Sequence, residues 1–244
     1  MNSLHIITPV KNSLDTALQT FEAVVASRID TVFDYTVYND FSTEENTLRL
    51  KDASERMRFR LVNLSDITVH PSPNYLLILQ QAQANALSNN AHLLIIESDV
   101  TVSEDTVRQL YAHAQSLDNA GMVAAVTVDA SGAVNFPYLY AGKYRDGAVN
   151  TRKRLSFCCT LLTNAFLSAF DFRTLPAGQS WYDVTISHQA LRMGFRNYLL
   201  MQCPVLHRPH SSRPWKLLKY SNPVKYYWLK LTGQLQKRAE RNDV

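Results

Sequence analysis

The order of apolar and polar positions divides the chain into short β-prone runs, each followed by a stretch with helical spacing. Leu4-His5-Ile6-Ile7-Thr8 reads as a strand stopped by Pro9, and Leu14, Leu18, Phe21, Val24 and Val25 then recur on one helical face. Val32 to Tyr38 is rich in β-branched and aromatic residues, and a polar helix to about Met57 follows, with Ser42 or Thr43 as its cap. A short strand spans about Arg60 to Leu64. Pro71 and Pro73 forbid helix around them, and an Ala- and Gln-rich helix then runs to about Leu87. His92-Leu93-Leu94-Ile95-Ile96 is apolar on both faces, as a strand buried in a parallel sheet must be, and it leads directly into Glu97-Ser98-Asp99. Ser103-Glu104-Asp105-Thr106 opens a helix to about Ser116, and Met122 to Val128 is a further strand. Four alternating strand and helix units predict an α/β fold with a mostly parallel central sheet flanked by helices. Gly142 to Arg154 is polar, basic and aperiodic, and reads as a mobile loop. Beyond it the pattern predicts a strand over Ser156 to Leu162, a helix over Asp183 to Met193 and a strand over Tyr198 to Met201.

Composition narrows the function classes. A chain of 244 residues with 46% hydrophobic and 19% charged positions can bury one substantial core and is not a disordered polymer. No apolar run reaches the roughly 18 to 20 residues that cross a bilayer, and Met1 to His5 does not open a secretory signal. Three cysteines, Cys158, Cys159 and Cys203, form neither a disulfide framework nor a zinc pattern. A reducing cytoplasmic setting is therefore expected. The net charge of +4 is unevenly placed, because residues 208–244 hold 9 of the 25 Lys and Arg but only 2 of the 21 Asp and Glu. The acidic body argues against a nucleic-acid cleft, and the basic segment predicts a docking element.

Candidate chemistry follows from topology. In an open parallel sheet, ligands bind beyond the carboxyl ends of the strands, where Thr8, Asp40 and Glu97-Ser98-Asp99 fall. A carboxylate there can coordinate a hard divalent cation whose other positions go to phosphate oxygens. The same acids could instead solvate a loop and cap a turn. Asp183 opens a helix, where the dipole favours its anion, and a plain N-cap is its simpler role. His207 ends an apolar run and could bind a metal or simply sit at the surface. Asn39 and Asp40 could merely make a turn, and Lys11 and Asn12 could be ordinary loop residues.

Five segments in order resemble the inverting glycosyltransferases of family 2, with the GT-A fold, over roughly residues 3–210. They are His5 to Asn12, Val37-Tyr38-Asn39-Asp40-Phe41-Ser42-Thr43-Glu44, Leu93 to Val100, Trp181-Tyr182-Asp183 with its helix to Arg196, and Val205-Leu206-His207. The resemblance implies that Thr8, Pro9, Lys11, Asn39, Asp40, Glu97 and Ser98 line the donor site. It implies that Asp99 and His207 engage Mn²⁺ or Mg²⁺ and the diphosphate, and that Asp183 is the catalytic base. The donor would be a UDP- or dTDP-sugar, the acceptor a glycan or lipid-linked hydroxyl, and the role surface polysaccharide or glycolipid synthesis. The metal-type Asp with His is closest to the rhamnosyl- and galactofuranosyl-type branch. Phe41 stands where the family has Gly, Lys11 where it has an aromatic residue, Glu97 where Asp is commoner, and Tyr182 where it has Glu.

Two other readings remain. A nucleotidyltransferase would need a Gly-rich phosphate loop, and none of the seven glycines precedes Gly121. A scaffold that binds nucleotide sugars without turnover is compatible with Phe41, Lys11 and Tyr182. Residues 211–244 are expected to form a basic, aromatic helical tail beginning at Asn222-Pro223, with Val224, Tyr227, Trp228, Leu231 and Leu235 on one face. Such a helix suits the inner, anionic face of a membrane, or a protein surface.

Overall fold

The computed structural model describes residues 2–178, 181–208 and 222–232. The chain divides into two compact units, residues 1–207 and 208–244. In the first, nine strands form one sheet: β1 (Ser3–Val10), β2 (Phe33–Asn39), β3 (Arg60–Asn63), β4 (Ala91–Ile96), β5 (Val100–Thr101), β6 (Ala120–Val128), β7 (Ala148–Asn150), β8 (Cys159–Leu162) and β9 (Arg196–His207). Their order is β3-β2-β1-β4-β8-β6-β9-β5, with β7 added on β9. β1 to β4 pair in parallel, as do β6 and β9, while β8 runs antiparallel between β4 and β6. The helices that follow the strands are α1 (Leu14–Val25), α2 (Glu44–Met57), α3 (Tyr75–Ser88), α4 (Thr106–Ser116), α5 (Asn164–Ala169) and α6 (Tyr182–Arg192).

The apolar pattern explains this layering. Successive side chains of a strand face opposite sides of the sheet. Leu94 and Ile96 of β4 join the core layer of Phe21, Val24, Leu50 and Leu110 beneath α1, α2 and α4. Leu93 and Ile95 join Ile78, Leu79, Phe166 and Ile186 beneath α3, α5 and α6. Full burial of one such side chain is worth about 1.5 to 3 kcal/mol, so a strand apolar on both faces is held at the centre. Phe21, Tyr35 and Phe59 close the first layer with ring centroids 5.2 to 6.4 Å apart.

Two features differ from the expectation. The stretch 142–154 is irregular except where Ala148–Asn150 form β7, which pairs with β9, and at its start, where Lys143 ends a 3-10 turn; Lys153 lies 4.5 Å from the Tyr140 ring. Polar and basic neighbours hid a three-residue strand too short to show a period of its own. The antiparallel β8 also interrupts the parallel pattern. Its consequence is positional, because the segment entering β8 lies at the same edge of the sheet as the carboxyl ends of β4, β6 and β9.

In the second unit, Pro223–Leu231 is a helix, and the Lys225 amide donates to Asn222 Oδ1 at 3.0 Å, the expected cap. Val224, Tyr227, Trp228 and Leu231 are exposed. Leu235 lies outside the described residues.

Candidate active site

The carboxyl edge of the sheet gathers residues that are distant in sequence. Glu97 follows β4, and its amide donates to the Cys158 carbonyl at 2.9 Å, extending the β4–β8 ladder in which Ile96 faces Cys159. That register brings the Cys158 thiol against Glu97, with Sγ 3.3 Å from Oε2. His207, the last residue of β9, pairs with Val100 of β5, just past Asp99. Its Nε2 lies 3.5 Å from Asp99 Oδ2 and 3.9 Å from Cys158 Sγ. The other ring nitrogen, Nδ1, lies 2.8 Å from the Phe136 carbonyl. A carbonyl only accepts, so Nδ1 carries a proton, and Nε2 is the ring atom directed at Asp99 and Cys158. That is how a metal-ligating imidazole is held.

The field of this cluster is strongly negative. Burial pushes the Glu97 carboxyl up to about 7, and the neighbouring Asp99 charge adds to it against the opposing pull of His207. Burial alone would lower the His207 pKa, but Asp99 and Glu97 raise it above the ordinary value. The Cys158 thiol is raised by burial and by both carboxylates. Packed acids, a thiol and an imidazole are costly without a compensating charge. Glu97, Cys158 and His207 place their ligand atoms within 4.8 Å of one another. A divalent cation fits this donor set.

Asp183 lies in the first turn of α6, after Trp181 at the N-cap position. Its Oδ2 accepts from Arg154 Nη1 at 3.1 Å. Burial raises its pKa, and Arg154 and the backbone amide of Val184 pull it back. Asp183 is close enough to Glu97 for its charge to raise the Glu97 pKa, so the base candidate and the acids share one field. Arg154 is itself placed by its neighbours, since the Leu155 amide donates to Ser187 Oγ of α6 at 3.0 Å and that hydroxyl returns to the Leu155 carbonyl at 3.1 Å. Tyr75, at the start of α3, completes the group. Its hydroxyl is buried without a hydrogen-bond partner among the described residues, and it feels the charges of Glu97, Asp183 and Cys158.

The remaining sequence candidates have different surroundings. Asp40 is buried, and its carboxylate accepts from Ser72 Oγ at 2.8 Å, the Asn74 amide at 3.0 Å and Asn74 Nδ2 at 2.9 Å. It clamps the 70–74 segment to the end of β2. Asn39 donates to Thr47 and Asn63 and accepts from the Ser42 amide, so its side chain fixes the turn after β2. The Thr8 hydroxyl lies inside the core layer, accepting from Tyr35 at 2.9 Å. Ser98 is buried and Pro9 half-buried, whereas Lys11 is open to solvent. Asn12 accepts from the Thr43 amide and Asn46, joining the loops after β1 and β2. Phe41 adopts φ of 58°, a left-handed conformation in which glycine carries no penalty.

Cys158, Arg154 and Tyr75 were not among the sequence candidates. The lone signal for Cys158 was its place just before an apolar run, and only the antiparallel course of β8 turns that into proximity to Glu97. Arg154 was hidden in the polar stretch read as a loop.

No known family matches the sequence, and no curated protein does. Solved structures do match. TarS from S. aureus, residues 1–349, superposes with a TM-score of 0.60 at 13% identity, over 89% of this chain and 62% of that one. GalNAc-T7 with UDP, GalNAc and Mn²⁺ gives 0.64 at 11% identity, over 87% and 45%. The mannosyltransferase PcManGT from Pyrobaculum calidifontis, in complex with GDP-Man and Mn²⁺, gives 0.62 at 13%, over 94% and 64%. The chain thus spans less than two thirds of each of these three. At such identities the likeness is one of architecture, and the architecture is the GT-A fold.

Proposed function

We propose that the chain is a nucleotide-sugar-dependent glycosyltransferase that transfers with inversion. The observation that carries this reading is the convergence of Glu97, Asp99, Cys158 and His207 with the Asp183–Arg154 pair at the carboxyl edge of a GT-A sheet. The reading gains support from two superposable structures that hold a nucleotide or nucleotide sugar with Mn²⁺.

Asp99 and His207, with Glu97 beside them, would hold a divalent cation, Mn²⁺ or Mg²⁺. When bound, it would offset charge on the departing diphosphate. Asp183 takes the acceptor proton as the acceptor oxygen attacks the anomeric carbon. The bond from that carbon to the diphosphate breaks, and its electron pair leaves with the diphosphate. Burial suits Asp183 to accept a proton, and Arg154 keeps its carboxylate ionised and aimed. Tyr75 offers a buried donor, within the field of Glu97 and Asp183, for a hydroxyl of either substrate. Thr8 and Asp40 contribute through the backbone and loop they fix, since their side chains are engaged elsewhere. Ser98, Pro9 and Lys11 line the donor side.

The donor we propose is a UDP- or dTDP-sugar, and the acceptor a glycan or lipid-linked hydroxyl in surface polysaccharide or glycolipid synthesis. The tail helix brings the enzyme to an anionic, cytoplasmic membrane face. No helix among the described residues is long and apolar enough to cross a membrane.

The test is turnover of a panel of nucleotide sugars with Mn²⁺ or Mg²⁺, including slow donor hydrolysis. Asp183→Asn is expected to bind donor nearly as the parent does and to lose about 10² to 10⁴ in rate, the usual worth of a general base. Unchanged turnover removes Asp183 from the role. Donor binding with no turnover in the parent chain, across the panel and with acceptors present, favours the scaffold reading instead.

A further inference from the structure

The thiol at the centre of the acid cluster has no place in an oxygen-and-imidazole cation site, yet the fold directs it there. Cys158 is 3% exposed and His207 is 5% exposed, so the contact between them is not a surface accident. The Cys158 carbonyl is committed to the Glu97 amide, which fixes the backbone and leaves the sulfur against Glu97 Oε2 and His207 Nε2 at 3.3 and 3.9 Å. A tetrahedral cation with bonds of about 2.3 Å to sulfur and about 2.0 to 2.1 Å to nitrogen or oxygen separates its donors by about 3.3 to 3.6 Å. The two spacings from sulfur need to change by only a few tenths of an ångström, and all three ligand atoms already lie within 4.8 Å of one another.

A simpler role for Cys158 is that of a buried thiol donating to Glu97. That accounts for one contact. It leaves His207 Nε2 directed at the same sulfur, and it leaves the Asp99 carboxylate gathered beside the Glu97 carboxylate around one imidazole. A cation that displaces the thiol proton answers all three. All three cysteines border the apolar layer under α1, α2 and α4, but among the described residues only the Cys158 sulfur joins a group of ligand atoms that could hold a cation.

We propose that Cys158 is a ligand of the metal centre, giving a carboxylate–imidazole–thiolate site that prefers borderline cations such as Co²⁺ and Zn²⁺ over Mg²⁺. The inference deepens the proposed function and rests on its placing the cation at this cluster. In the binding step a sulfur–metal bond forms and the S–H bond breaks. The thiol proton goes to solvent, and no electron transfer is involved.

The test is Co²⁺ titrated into the full chain and followed by absorption. The expected result is a sulfur-to-cobalt charge-transfer band in the near ultraviolet, present in the parent and in Cys203→Ser and absent in Cys158→Ser. The visible cobalt bands should persist in Cys158→Ser, which reports that the variant is folded and still binds metal. Zn²⁺ affinity should fall about tenfold or more in Cys158→Ser while Mg²⁺ affinity stays as it was. Visible cobalt bands without the near-ultraviolet band in the parent overturn the proposal, as does a band that survives Cys158→Ser. Failure of Co²⁺ and Zn²⁺ to bind at all overturns it too. The transferase reading is judged separately, by nucleotide-sugar turnover with Mg²⁺ or Mn²⁺, so a bandless cobalt spectrum beside measurable turnover removes the thiolate and leaves the activity standing.

Discussion

Single residues show how burial decides charge in this molecule. His92, in β4, accepts the Asn164 amide on Nδ1 at 2.8 Å and meets the Gln115 side-chain amide through Nε2 at 2.7 Å. Burial lowers its pKa to about 4. The folded state therefore binds fewer protons than the unfolded chain between pH 6.5 and 4, and stability falls as pH drops through that window. Between pH 7 and pH 5 this residue alone should cost about 2 kcal/mol, which denaturant unfolding of the parent beside His92→Gln would read as a shallower slope in the variant. Identical slopes would mean that His92 is not held neutral. The same logic acts in the site, where burial raises the Asp183 pKa and Arg154 restrains it. Neither partner was legible as a pair in the sequence, because Arg154 belongs to an aperiodic stretch and no local rule joins it to a residue in a later helix.

At the scale of elements, the strands and helices with their own apolar period were legible, and those that borrow their order were not. The helices predicted near Ser42 to Met57 and Asp183 to Met193 are observed at Glu44–Met57 and Tyr182–Arg192. β7 and the orientation of β8 were missed, since a three-residue edge strand in polar surroundings carries no period and strand direction is set by partners across the sheet. α5 also went unread, being one short turn-and-a-half closed by Thr163, whose hydroxyl accepts the Phe166 amide at 3.3 Å. The seating of α6, and with it Asp183, depends on a close approach at Gly121 of β6. A Cβ added there would lie 2.7 Å from Phe195 Cβ and 3.4 Å from Ala190 Cβ. Gly121→Ala should therefore destabilise the fold by about 1 to 3 kcal/mol, the usual cost of overfilling a packed site. A thermal or denaturant midpoint equal to the parent's would show that this contact yields without strain.

For the molecule as a whole, charge and apolar surface are divided between the two units. The basic residues concentrate after residue 207, and the tail helix leaves Tyr227 52% and Trp228 56% exposed, with Val224 and Leu231 more so. Aromatic side chains beside lysines match the interface of an anionic bilayer. Flotation of the full chain with anionic vesicles should exceed that with neutral ones and should drop in a Tyr227→Ser, Trp228→Ser double variant; equal flotation would assign the helix to a protein surface. The acidic body holds a cluster of carboxylates, imidazole and thiol that fits a cation, to which the proposed function adds a diphosphate. The most direct measurement is calorimetry of UDP, dTDP and GDP binding with and without Mn²⁺, in the parent chain and in Asp99→Ala. The account predicts binding of at least one nucleotide that depends on Mn²⁺ in the parent and is weakened in the variant. Equal affinity in both, or binding indifferent to metal, would contradict it.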